Sequence, residues 1–536
     1  LESYDYIIVG AGSAGCAVAD RLARGGRHSV LVLEAGGRDT SPWLTLPLGY
    51  GRTFFDPRVN WKFETEPEAS LGGRRGYWPR GKVLGGSSAI NALVYVRGQP
   101  GDFDDWAAAG AHGWAWRDVA PVFDDMESRV AADGRRSGNG PVFVQDVSDQ
   151  VHRVNRYFFA GAAALGLPGT EDCNGASFEG ATTYRINTRN GARWSAARAF
   201  LRPARRRGNV TVRTAALVER LTFEGGRATG LQARFGRRKR RFAVRREIIL
   251  CAGSVGSPAI LQRSGLGAEE TLLSAGVTPK KALPEVGRNL QDHLGISYYF
   301  RATEATLNNQ LAPFAGKLRA ALRYALRRRG PLALSVNQCG GFFRSEADCP
   351  RPDQQLYFNP VTYTTTARGT RTVINPDSFA GFVLGFQPTR PQSRGRIGIV
   401  DADPATPPRI IPSSLSAPGD SDAVIAGGRL CRALLGTDAI GNLIEAPMGP
   451  DPRRLSDEAL LEDFRDRSST VFHPVGTCRI GTGPEDSVVD PALRVHGIDG
   501  LRVADASVFP SITSGNTNAP AMMVGYRAGN LILEAA

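Results

Sequence analysis

The four residues Tyr6–Val9 form a short apolar run that reads as a buried strand. Beyond them Ala17, Val18 and Leu22 recur at helical spacing, and "SVLVLE" is a second apolar run that ends at Glu34. The pattern predicts strand, helix, strand. Near the middle of the chain Val210–Arg213, Val218–Phe223, Ala228–Phe235 and Arg241–Val244 alternate apolar and polar residues, as antiparallel strands do, with turns at "EGG" and "FGRR". "EIILCAG" is a further buried strand that runs into small residues. "SPAILQRSG" then predicts a helix with Ser257 as N-cap and Pro258 at its first position. Close to the end, "GLRVADASVFP" predicts a strand leading to Asp505, and "NAPAMMVGYRAGNLILEA" a closing helix.

Between the first strand and its helix lies Gly10-Ala11-Gly12-Ser13-Ala14-Gly15. With both strands and the helix in place, this is a dinucleotide-binding fingerprint. Gly10 makes the turn, Gly12 lets a pyrophosphate approach the backbone, and Gly15 lets helix and strand pack closely. The helix N-terminus offers free N–H groups to phosphate. Glu34 stands about 20 residues on, where a carboxylate can accept ribose hydroxyls. Whether the ligand is NAD or FAD is left open by the fingerprint itself.

Nucleotide-type elements therefore occur at the start, middle and end of a 536-residue chain, which is long enough for two domains. The expected fold class is α/β, α+β overall. A Rossmann-like domain is assigned to residues 1–155, 195–295 and 458–536. A substrate domain with an antiparallel sheet flanked by helices is assigned to 156–194 and 296–457. Within the second domain "PFAGKLRAALRYALRRRG" predicts a basic amphipathic helix. Its Leu318, Leu322 and Leu326 face is expected to pack on the sheet with the arginines in solvent. A membrane or partner is the alternative.

The formal net charge is +14, but the basic runs are scattered and none interleaves with stacking aromatics, so nucleic acid is not an expected partner. Seven cysteines without a C-x-x-C pair indicate neither a disulfide scaffold nor a zinc site. The opening residues show no signal peptide, and no run approaches the ~20 apolar residues of a membrane span. The expectation is a cytoplasmic protein, monomer or homodimer, with no metal and with membrane contact at most peripheral.

Four segments resemble the glucose–methanol–choline (GMC) oxidoreductases, which use FAD. They are "GAGSAG…LEAGG", "RGKVLGGSSAINALVYVRG" (Arg80–Gly98), "GSVGSPAILQRSGLG" (Gly253–Gly267) and the C-terminal "HPVGTCRIG…VADASVFPSITSGNTNAP". "VGRNLQDH" (Val286–His293) is also characteristic, and the likeness runs from end to end. The resemblance implies FAD held by Gly10, Gly12, Ser13, Ala14, Gly15, Glu34 and Ala35, and by Val83, Gly86, Asn91, Ala92 and Val94 of the second segment. Val218, Ala252, Asp505, Ala506 and Thr517 complete the cofactor set. Ile90 stands where some members carry a histidine that binds flavin covalently, so FAD is expected to be non-covalently bound.

The resemblance places a catalytic pair on His473 and Asn516. The chemistry suits them. Alcohol oxidation removes a proton from oxygen and a hydride from carbon; FAD can accept the hydride at N5, leaving the protein to handle the proton. An imidazole with an ordinary pKa of ~6.5 is a base at neutral pH, and an amide N–H can hydrogen-bond an alkoxide. His293 is expected to be structural, bonding a turn, and His28, His112, His152 and His496 to have no chemical role. Asn518 could share the amide role, although the resemblance favours Asn516. Phe472, Tyr357, Phe358 and Phe386 are candidates for the substrate pocket, and aromatic lining would suit an apolar or aryl primary alcohol. Oxygen or a quinone could reoxidise the flavin. The alternative function is a flavin-containing lyase of the same family, like the hydroxynitrile lyases, with no net redox.

Overall fold

In the computed structural model, which describes residues 1–368 and 371–535, strand Glu2–Val9 lies between Val30–Leu33 and Arg238–Leu250 and is parallel to both. Val210–Arg213 extends this sheet beyond Val30–Leu33, also in parallel. That differs from the antiparallel expectation. A strand of four residues with one alternation looks the same in either orientation, and here the connection from helix Arg202–Arg206 returns it in the parallel sense.

The predicted Arg241–Val244 and "EIIL" strands are one 13-residue strand, Arg238–Leu250. Its polar first half pairs antiparallel with Arg227–Phe235, which in turn pairs with Leu217–Glu224. Its last three residues, Ile248–Leu250, are apolar and buried and pair in parallel with Leu501–Val503. The change of composition along the strand marks the change of neighbour, from a half-exposed hairpin to the interior of a parallel sheet.

Helix Ser13–Ala23 and the closing helix Asn518–Glu534 pack against each other on this sheet. Helix Gly253–Arg263 begins one turn earlier than Ser257 suggested. The backbone N–H of Gly253 donates to Asp505 Oδ2 at 2.8 Å, so a carboxylate distant in sequence supplies the cap. Ser257 lies inside the helix, and its hydroxyl donates to the same oxygen at 2.6 Å.

A second seven-stranded sheet is antiparallel. Its order is Ile444–Pro447, Leu294–Ala302, Gly381–Pro388, Gln354–Asn359, Cys339–Phe343, Gly180–Thr183, with Ser469–Thr470 added to Leu294–Gly295. One face is a core in which Phe300, Phe358 and Phe382 stack and Phe386 meets Phe464. Helix Pro418–Leu435 covers this face.

The basic helix is present as Phe314–Arg327, but it sits the other way round from the expectation. Gly316, Ala320 and Tyr324 face the protein, while Leu318, Leu322 and Leu326 are exposed. Gly316 lets the helix approach the preceding chain closely, since a Cβ there would stand 2.2 Å from Gln310 O.

Candidate active site

The carboxyl ends of Glu2–Val9, Arg238–Leu250 and Leu501–Val503 lie side by side, because Val9, Leu250 and Val503 are in register. Gly10, Ala252 and Asp505 follow within two residues of those ends, forming the crevice in which α/β sheets bind ligands. Gly10 has a φ of +101° and its backbone lies against Cys251, where a Cβ would come within 2.4 Å of the carbonyl oxygen. A Cβ on Gly15 would stand 2.0 Å from Gly10 O, which is the close helix–strand contact expected of it. A Cβ on Gly12 would meet no protein atom within 4 Å, so its face is open. The first helical bond is Cys16 N–H to Gly12 O, leaving the amides before it directed outward. Ser13 Oγ donates to Asn518 Oδ1 at 2.7 Å, tying the starts of the two helices together; Thr517 is the N-cap of the second. Asn518 is thereby assigned to this crevice rather than beside His473.

Glu34 accepts from the N–H groups of Ala11 and Gly36 at 2.9 and 2.8 Å, and burial pushes its carboxyl up to about 7. Ala35 continues the same turn. The chain at Ala215–Ala216 donates to Gly36 O and Glu34 O, which brings Val218 alongside. The segment after Arg80 closes the crevice: Gly85 N–H donates to Ala11 O at 2.7 Å, Val83 bridges Gly37, and Gly86 abuts Gly12. Asn91 Oδ1 accepts from the buried Arg193 at 2.8 Å, Ala92 O accepts from Ser335, and Val94 is buried against Tyr184 and Phe342. Ala506 begins the short helical turn Ala506–Val508, and its carbonyl accepts from Gly476 N–H. Asp505 also accepts from Ser507 N–H at 2.8 Å, and burial raises its pKa. An open glycine face, unpaired helix amides and a buried acid fit a dinucleotide such as FAD. Ile90 is buried beside Val83 and carries no group able to bond covalently to flavin.

His473 stands in a chain of hydrogen bonds. Residues 290–293 and 471–475 run antiparallel, with Gln291 and Val475 exchanging both backbone bonds and Val471 N–H donating to His293 O. This pairing sets His293 beside His473. Their Nδ1 atoms are 3.0 Å apart with the rings edge to face, and His293 Nε2 lies 2.8 Å from Thr389 O. A carbonyl only accepts, so His293 carries its proton on Nε2. Its Nδ1 is then a lone pair and accepts from His473 Nδ1–H, which leaves the lone pair of His473 on Nε2. Asn516 Nδ2 donates to that atom at 3.2 Å, and Gln355 Nε2 lies 3.4 Å from Asn516 Oδ1, which orients the amide.

Burial, then the nearby His293 and Arg80, hold the His473 imidazole well below its usual pKa; burial also brings His293 down to about 4. Both rings are therefore neutral at pH 7. The assignment of His293 to a turn is thus corrected: it contacts His473 directly. The backbone of His473 is held too. Asp292 accepts from His473 N–H at 2.7 Å and from the Thr470 hydroxyl, and Arg80 donates to Phe472 O at 2.6 Å. Burial pushes Asp292 up to about 7. Phe472 is set at a φ of +72°, and its ring meets Phe54 at 5.4 Å.

Strand alternation separates the other aromatic candidates. Gln355 and Tyr357 share one face of Gln354–Asn359, and Tyr357 donates to Gln387 Oε1 at 2.6 Å. Phe358 and Phe386 point to the opposite face, into the core with Phe382 and Phe464. Those two rings are core residues, contrary to their nomination for the pocket. Tyr357, also nominated, lies on the other face with Gln355 and Gln387, and Gln355 is the residue that reaches Asn516. The two glutamines were missed in the sequence reading; their place inside the apolar runs "DQQLYFN" and "FVLGFQP" is the signal that could have found them.

Models of the N- and C-terminal parts of GMC oxidoreductases match residues 4–295 and 391–525. An alcohol dehydrogenase [acceptor] from Pseudomonas putida is 37% identical over 538 residues, covering 99% of this chain and 96% of that protein. An oxygen-dependent choline dehydrogenase from Photobacterium profundum is also 37% identical, covering 99% and 93%. The crystal structure of pyridoxine 4-oxidase from Mesorbium loti superposes with a TM-score of 0.87 at 29% identity, covering 99% of each chain. With matched segments at both ends of a fold that places His473 and Asn516 together, the chain belongs to the GMC oxidoreductase family, whose members are FAD-dependent flavoproteins.

Proposed function

We propose that this protein oxidises a primary alcohol of apolar or aryl character to the aldehyde, with His473 as general base and FAD bound non-covalently. The observation that carries the reading is the direction of the hydrogen bonds from Thr389 through His293 to His473, which leaves the lone pair on Nε2. The substrate hydroxyl takes the place of the Asn516 N–H on that lone pair, and its proton goes to Nε2. Asn516 supplies an N–H at the same point, suited to hold the oxygen as it becomes an alkoxide. FAD, when bound, supplies the two-electron acceptor for the carbinol hydride.

The low basicity of His473 matches this role. The ring stays neutral until a substrate arrives, and its positive charge forms only beside a new negative oxygen, which offsets the cost of burial. The ring contact of Phe472 with Phe54 supports an apolar substrate side. Relatives named as an alcohol dehydrogenase and an oxygen-dependent choline dehydrogenase support the alcohol class. Oxygen and a quinone are the proposed acceptors.

The test is anaerobic mixing of the yellow protein with a panel of alcohols. Bleaching of the flavin by an apolar primary alcohol is the expected result, and admission of air then separates an oxidase from a dehydrogenase. A flavin left yellow by every alcohol would overturn the reading and favour a lyase.

A further inference from the structure

The helix Phe314–Arg327 is fastened to the body by a small cluster of Leu307, Leu311, Ala320 and Val361. On its other side Phe314, Leu318, Leu322 and Leu326 are 82%, 52%, 53% and 81% exposed. They follow one another at i, i+4 and so form a continuous stripe. A helix of a soluble monomer normally turns such a stripe inward. Here it faces directly away from the protein.

The flanks are basic. From Pro313 to Gly330 the chain carries Lys317, Arg319, Arg323, Arg327, Arg328 and Arg329 and no acidic residue. Arg329 pairs with Asp149, and Arg328 lies over the Tyr324 ring at 5.0 Å. Among the described residues no ion pair is formed by Lys317, Arg319, Arg323 or Arg327. No helix among the described residues is long and apolar enough to cross a membrane.

We propose that this helix docks the protein flat on an anionic lipid surface, with the phenylalanine–leucine stripe at the acyl boundary and the lysine and arginines on lipid headgroups. An apolar stripe between unpaired cations is the pattern of an interfacial helix. A second copy of the chain fits less well, because it would bring a wholly basic segment against another. The helix does not swing out to do this. Its inner face is already packed, so the surface is preformed.

The experiment is co-sedimentation of the flavin-loaded, full-length protein with vesicles. Binding to phosphatidylcholine vesicles containing phosphatidylglycerol is expected, with weak binding to phosphatidylcholine alone and loss at high salt. Leu318→Glu/Leu322→Glu should lower the bound fraction about tenfold or more, and Arg319→Glu/Arg323→Glu should remove the lipid preference. All of these side chains are exposed, so flavin absorbance should be unchanged. In a Leu322→Trp variant, the anionic vesicles should shift the tryptophan emission to the blue. Three outcomes would overturn the proposal: no sedimentation with anionic vesicles, equal binding by the double glutamate variant, or a dimer that the glutamates dissolve.

Discussion

His293 accepts a hydrogen bond from His473, Nδ1 to Nδ1, at 3.0 Å. The contact gives the second imidazole a defined tautomer. It also places a buried neutral ring, rather than a carboxylate, against Nδ1 of the proposed base.

Replacing His473 with alanine should slow flavin reduction by about 10²- to 10⁴-fold, the usual scale for a lost general base. Stopped-flow bleaching under anaerobic alcohol measures this. The protein should stay yellow, since His473 contributes no contact to the Gly10–Gly15 loop. A near-normal rate would place the base elsewhere.

His293→Leu removes the acceptor for His473 Nδ1–H. The lone pair is then no longer confined to Nε2, and kcat should fall about tenfold or more. The acid limb of kcat/KM should also move. In the wild type His473 is depressed, so activity holds from pH 8 to well below ~6.5 and falls only in more acid solution. Removing the His293 ring, which helps to hold the His473 pKa down, should carry that limb upward. His293→Asn offers a carbonyl oxygen near the same point and should restore part of the rate.

Asn516→Ala should cost about 2.7–4 kcal/mol of transition-state stabilisation, read as a loss in kcat. Asn518→Ala should instead weaken flavin retention with kcat of the loaded enzyme little changed, because its partner is Ser13. Rates normalised to flavin content distinguish the two.

Gly12→Ala and Gly15→Ala should fail differently. A Cβ on Gly12 meets no protein atom, so the apoprotein should fold with wild-type stability but bind FAD poorly. A Cβ on Gly15 strikes Gly10 O at 2.0 Å, so the apoprotein itself should lose stability. Thermal melts of apoprotein and flavin titrations together check this.

Asp292 adds a pH dependence to stability. Its carboxyl is raised to about 7 in the folded state against an ordinary value of 3.8. The folded state therefore holds more protons between those values, and this group's contribution to stability declines as pH rises from about 4 to 7. The Tm of Asp292→Asn relative to wild type should climb over the same interval. A constant difference would mean that the carboxyl ionises normally.

Much of this was legible along the chain. Tyr6–Val9, the glycine loop and Glu34 are local signals, since a buried strand, a tight turn and a helix start depend on residues adjacent in sequence. The motifs around His473 and Asn516 marked that pair by resemblance. Four features were decided only in three dimensions. The pairing of residues 290–293 with 471–475 turned His293 from a turn residue into the partner of His473, through a contact across 180 residues. Asp505 capped a helix 252 residues away and moved its start. Strand parity sent Phe358 and Phe386 into the core and Gln355 toward Asn516, because side chains two apart share a face and neighbours do not. The helix Phe314–Arg327 chose its small-residue face for packing, which its own periodicity could not reveal, because an amphipathic pattern states that a face is apolar and leaves open what will cover it.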